Sequence, residues 1–386
     1  DATTIGNNEG IGNGHETLEH LYDQANFDVI LGNLFEPDGI RPDFVKPYKI
    51  ITTAAQTRIG IVGFTAPYPM SYEPNNWQIK LISETLPAIL AELQGKTDYL
   101  IMLSHLGLTM DRYLAKQFPE LNLIIGSHSH HLLLAGEQIG QTYLAAAEKW
   151  GHYVGDIHLE FDEQHQIQAT KVVAVPTAEL PAEASDEHEA QELFELGEKL
   201  LEQEQVAVLP EAFADVKTSV DAGLAAIADF TGTDLAILNT GLFLGHLQPG
   251  LLTKKDLHNV LPHPMHVVKI TLAGQDLWRL IMEMEKNRNF LSKFKIVGMS
   301  FRGKIFGDLV YQGLSFDQKT RGVFVHGEEL DPLKQYQVAI LDHYIFIPFF
   351  PTIEIMAEKK IYFPYFFRDV VGHYLSQKYP LKEVKQ

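Results

Sequence analysis

Apolar and polar positions alternate along the first half of the chain in short blocks of two kinds. "FDVILGNLF", "RIGIVGFTA", "TDYLIMLSHLG" and "LNLIIGSHSH" are runs of apolar residues bounded by turn formers, and each predicts a strand. "ISETLPAILAELQGK" has apolar spacing near 3.6 and ends in glycine, which predicts a helix. "RYLAKQFP" predicts a second helix, stopped by Pro119. "TYLAAAEKWGHYVGDIHLEFD" predicts a pair of strands and "QIQATKVVAV" one more. At the very start, "ATTI" followed by "GNNEG" reads as a strand end meeting a helix start. Strand, loop and helix in repetition predict a layered α/β domain.

The pattern changes at "PTAELPAEASDEHEAQELFELGEKLLEQEQ", which is acidic, alanine-rich and helical in period. We read it as an exposed linker helix over 181–205. It separates a first domain, 1–180, from a second, 206–386. The second has its own strand and helix signals in "VDAGLAAIADFTG", "DLAILNTG", "HVVKITLAG", "QDLWRLIMEMEKN" and "QYQVAIL". The length of 386 residues agrees with two domains.

Bulk properties narrow the chemistry. A net charge of −19 argues against a nucleic-acid duplex as partner, since that requires clustered Lys and Arg. No apolar run is long enough to predict a membrane span. The chain has no cysteine, so a metal site here must use His, Asn and carboxylates. Seventeen histidines supply it amply.

Three stretches carry candidate chemistry: "GNNEG" at 6–10, "SHLG" at 104–107 and "GSHSHH" at 126–131. In the last two an apolar strand ends and a histidine follows on the loop. That edge of an open α/β sheet is where ligands bind, so His105, His128 and His130 are expected to converge. A lone strand-end His is more often structural. In an extended segment, however, His128 and His130 would point to one side, and several imidazoles in a cysteine-free loop suit a borderline divalent metal.

In this order, Gly-Asn-x-Glu, Ser-His-Leu-Gly and Gly-x-His-x-His resemble the calcineurin-like metallophosphoesterases. More narrowly they resemble the 5′-nucleotidase, UDP-sugar hydrolase and 2′,3′-cyclic-nucleotide phosphodiesterase family. The segment "ILNTGLFLGHLQPGLLTKKDLHNVLPHPMHVVKITLAGQDL" is similar to that family's C-terminal substrate domain. The resemblance implies an α/β/β/α metallophosphoesterase sandwich followed by an α+β 5′-nucleotidase-type domain. It implies two divalent cations of the Mn, Zn, Co or Fe class, with Asn7, His105 and His128 on one and His130 on the other. The substrate would be a small-molecule phosphoester, a nucleotide foremost. The family's Asp-x-His and Gly-Asp-x-x-Asp segments are not found here. The chain is therefore expected to be N-terminally truncated, with its first strands missing and the fragment itself inactive.

Other positions depart from the family. Asn8 stands where most members have a catalytic His; its amide can donate a hydrogen bond but cannot deliver a proton. His15 and His131 are candidate replacements, against a surface or helix-capping role. In the second domain Asn239, His263, His343 and Tyr344 fall at substrate-binding positions, the last three offering ring faces for a base. Leu244 stands where the family has an Arg, with Arg302 a candidate substitute. These departures keep open a second hypothesis, a catalytically lapsed protein of the same fold that binds a ligand or partner. A mononuclear zinc module is disfavoured by the large second domain. The compartment is left open, with the cytoplasm favoured, and so is the oligomeric state.

Overall fold

The computed structural model describes residues 1–296, 298 and 301–381. The chain divides into two compact units, Asp1–Glu183 and Ala184–Gln386. Among the described residues no helix is long and apolar enough to cross a membrane.

The first unit is built on a six-stranded sheet in the order Glu137–Ile139, Thr142–Ala145, Leu123–Gly126, Tyr99–His105, Arg58–Thr65, Tyr48–Thr52. The four inner strands run parallel. Helices Ile82–Leu93 and Leu108–Gln117 cover one face, burying Leu86, Ile89, Leu93 and Leu114 against Val62, Phe64, Leu100 and Met102. The antiparallel hairpin Tyr153–Phe161/Ile167–Pro176 covers part of the other, packing Val172 and Ile157 on Ile59, Tyr99 and Leu123. Strands buried on both faces read as nearly continuous apolar runs, which explains "YLIML" and "LII".

A three-stranded parallel sheet, Ala2–Thr3, Asp28–Ile30 and Val45–Lys46, lies against the six-stranded one. The approach is closest at Gly63, where an added Cβ would stand 2.0 Å from the Ile30 carbonyl oxygen. "FDVILGNLF" is two strands, Asp28–Ile30 and Leu34–Phe35, not one. The break follows from Asn33, fully buried, whose amide donates to the Thr65 carbonyl (2.8 Å) and accepts from the Thr65 N–H (3.1 Å). The side chain takes over backbone pairing at that point.

The helix Leu108–Gln117 begins earlier than "RYLAKQFP" predicts. Its first free amide, Leu108 N–H, donates to Ser129 Oγ at 3.0 Å. That capping partner comes from a loop 21 residues away, beyond the reach of local pattern.

The second unit holds a five-stranded sheet ordered Leu309–Gln312, Leu235–Asn239, Gln335–Leu341, His266–Ala273, Glu358–Phe366. Helices Val216–Thr231, Gly274–Leu291 and Phe367–Lys378 contribute Leu224, Ile227, Leu280, Ile281 and Val371 to its core. The acidic helix Asp186–Gln203 buries no residue and is part of this unit. Its Glu198 pairs with Lys255 at 3.1 Å.

Candidate metal centre

Strands Tyr99–His105 and Leu123–Gly126 lie side by side, with Ser104 opposite Gly126. The loops leaving their C-terminal ends are therefore neighbours. Asn7 opens the helix Asn7–Gly12, just after the strand Ala2–Thr3. The three positions meet: Asn7 Oδ1 lies 2.9 Å from His105 Nε2 and 3.0 Å from His128 Nδ1. The two imidazoles stand edge to face with centroids 4.9 Å apart.

Each imidazole is held at its outer nitrogen. Ser127 Oγ lies 2.9 Å from His105 Nδ1, and Tyr68 Oη lies 3.0 Å from His128 Nε2. Sequence reasoning missed both. Ser127 sits inside the motif already singled out, and Tyr68 follows the C-terminal end of Arg58–Thr65, on the same sheet edge.

The rings are kept neutral. Burial, with the His128 and His130 rings nearby, pushes His105 down to about 4. Burial and His130 also lower His128. A neutral imidazole is the form that ligates a metal. An amide oxygen and two imidazole nitrogens converging on one point are a donor set suited to a borderline divalent cation, so these residues fit the expected group.

The His128–His130 segment is not extended, so the geometry expected to turn both rings to one side does not hold. His128 has φ +69° and His130 φ +54°, both left-handed. Alternation along a strand therefore does not aim them, and His130 is exposed. Left-handed backbone is uncommon for a residue with a Cβ and costs on the order of 1 kcal/mol, a strain that gathers at functional sites. Ser129 holds the bend through Leu108 N–H, and its hydroxyl lies 2.8 Å from His131 Nδ1.

Beneath the loop, Asp111 is 2% exposed and bonded to Ser104 Oγ. Burial raises its carboxyl to about 6. A raised folded-state value gives stability that is complete below about 4 and is lost as pH rises through 6, worth about 3 kcal/mol. Asp111→Asn should thus be more stable than the parent at pH 8 and gain nothing at pH 4, as read by urea melts at both.

Asn8 is exposed. His15 lies within another group, its Nε2 2.9 Å from Glu36 and its Nδ1 3.6 Å from Glu19, with the ring stacked on Trp77 at 3.9 Å. The ligand atoms of these three residues lie within 4.8 Å of one another. The carboxylates sit at opposite nitrogens, which suits ion pairing with one imidazole better than joint ligation. His15 Nε2 is therefore already engaged by Glu36.

The second unit corrects the expected ring clamp. His263, His343 and Tyr344 are 1%, 2% and 0% exposed. His263 donates from Nε2 to the Leu242 carbonyl (2.7 Å), accepts at Nδ1 from Arg302 N–H (2.9 Å) and stacks on Phe301. Asn239, fully buried, accepts at Oδ1 from Tyr344 (2.8 Å) and His343 Nε2 (3.1 Å), and donates to the Phe306 carbonyl. Burial drives His263 to about 4 and His343 to about 3. These rings brace the core of the unit instead of facing a base. Leu244 is half exposed and Arg302 exposed.

Comparison with known proteins agrees with this architecture. Residues 201–346 match the family model described as 5′-nucleotidase, C-terminal domain. The uncharacterised metallophosphoesterase YunD of Bacillus subtilis (strain 168) is 35% identical over 396 residues, spanning 98% of this chain and 84% of YunD. A Staphylococcus aureus structure assigned as a 5′-nucleotidase superposes with a TM-score of 0.66 at 17% identity, covering 99% of this chain and 81% of that one. A 5′-nucleotidase precursor from Thermus thermophilus does so at 0.55 and 21% identity, covering 98% and 81%. The chain belongs to the calcineurin-like metallophosphoesterases of the 5′-nucleotidase type, with a phosphoesterase domain followed by a 5′-nucleotidase C-terminal domain.

Proposed function

We propose that the protein is a metal-dependent hydrolase of small phosphoesters, nucleotides foremost among them. The observation that carries this reading is the meeting of Asn7, His105 and His128 within 3.0 Å at the sheet edge. These residues would hold one divalent cation, and His130 is the candidate ligand for a second. When bound, such cations supply Lewis acidity toward a phosphoryl oxygen and make water a nucleophile near neutral pH. The chain's own part is to place neutral donors and to offer the Asn8 amide as a hydrogen-bond donor to a phosphoryl oxygen. Neither of these two candidates carries proton delivery to the leaving group: Asn8 cannot, and His15 is held between two glutamates. Substrates with good leaving groups should therefore react best.

The product of the complete gene should hydrolyse a bis-nitrophenyl phosphodiester or a nucleoside monophosphate only with added Mn²⁺, Co²⁺ or Zn²⁺. Excess chelator should abolish the rate and added metal restore it. Full activity in chelator contradicts the proposal. The internally bonded ring cluster in the second unit favours one other reading, a binding protein of the same fold. Metal uptake with no turnover of any phosphoester would select it.

A further inference from the structure

We propose that the ring of Trp150 is the platform on which the base of a nucleotide substrate stacks, at the same sheet edge as the candidate cation site. The proposal deepens the hydrolase reading above and rests on it. Trp150 is 78% exposed, the most exposed aromatic side chain among the described residues. It lies on the loop that follows the strand Thr142–Ala145, which runs parallel beside Leu123–Gly126. That loop therefore leaves the sheet at the edge where His128 stands. The two loops are joined there: Glu148 N–H donates to the His131 carbonyl (3.0 Å) and Leu133 N–H to the Ala146 carbonyl (2.9 Å).

The loop is built to hold the indole out. Glu148, Trp150 and Gly151 have φ of +62°, +60° and +68°. Left-handed backbone at two residues that carry a Cβ persists only where the surroundings fix it. Here His152 Nδ1 bonds to the Glu148 carboxylate (3.1 Å). Thr177 donates from Oγ1 to the Gly151 carbonyl and from N–H to the His152 carbonyl, the latter at 2.9 Å. An indole fixed in water forgoes the gain of burial, so a braced loop that keeps it there points to a ligand. Lys149 Nζ lies over the ring, 3.9 Å from its centroid, and places a positive charge beside it in a chain of net charge −19. A flat partner that carries an anionic group, as a nucleotide does, suits that pair. Stacking needs only a π-face and so accepts any base. His263, His343 and Tyr344 are buried and offer no such face.

The test compares the product of the complete gene with its Trp150→Asn and Trp150→Phe variants. Tryptophan emission is titrated with adenosine, AMP and ribose 5-phosphate. Adenosine and AMP should quench the parent, and ribose 5-phosphate, which lacks a base, should not. Trp150→Asn removes the ring and suits left-handed backbone; it should lose the quench. With Mn²⁺ its KM for AMP should rise about tenfold at unchanged kcat, the loss expected of one stacking ring, while kcat/KM for ribose 5-phosphate stays the same. Trp150→Phe should recover most of the affinity for AMP. A quench that survives in Trp150→Asn, or an unaltered KM for AMP, overturns the proposal. If the parent turns over no phosphoester, the hydrolase reading fails instead, and the adenosine titration still decides whether a base stacks on Trp150.

Discussion

His128→Ala is expected to lower metal-dependent phosphoester hydrolysis by at least about a hundredfold and to weaken metal binding in parallel. His128 is one of two imidazoles within 3.0 Å of Asn7 Oδ1, and its loss leaves two donors for a cation that needs at least four. Stabilisation of a transition state by a bound cation is worth several kcal/mol, and each step of about 1.4 kcal/mol is tenfold in rate. The side chain is on a loop, so thermal unfolding should change little. Steady-state kinetics at saturating Mn²⁺, beside a melt, separates the two effects. A fall of less than about tenfold would show that His128 is no ligand.

Gly63→Ala is expected to cost stability on the order of 3 kcal/mol or more and to abolish metal binding with it. The new Cβ would stand 2.0 Å from the Ile30 carbonyl oxygen and 2.9 Å from Thr4 Oγ1. Backbone cannot swing aside as a flexible side-chain end can, so the strand Asp28–Ile30 and the segment leading to Asn7 must shift. Asn7 is three residues beyond Thr4, so the shift reaches the site. Gly155→Ala is the control, because nothing lies within 4 Å of its added Cβ. Equal urea midpoints for the two variants would show that the sheets are not in contact at Gly63.

How much of this was legible follows from where each constraint originates. The parallel strands and their terminal histidines were readable because burial on both faces leaves continuous apolar runs, and His105 and Ser127 stand where those runs stop. The left-handed bend at His128 and His130 was not, since histidine favours positive φ only modestly and the Ser129 between them is tied to the distant amide of Leu108. The split at Asn33 depends on Thr65, which is 32 residues away. His263, His343 and Tyr344 misled for a different reason. An aromatic ring suits a base and a protein core equally, and only the hydrogen bonds to Leu242 and Asn239 distinguish the two. His15 likewise reads as a spare imidazole until Glu19 and Glu36 are seen at its two nitrogens.

Anomalous diffraction at the manganese edge, from crystals of the complete gene product grown with Mn²⁺, tests the central claim most directly. The account predicts a peak about 2.0–2.3 Å from Asn7 Oδ1, His105 Nε2 and His128 Nδ1 together. A peak confined to His15, Glu19 and Glu36, or none beside His105, would contradict it.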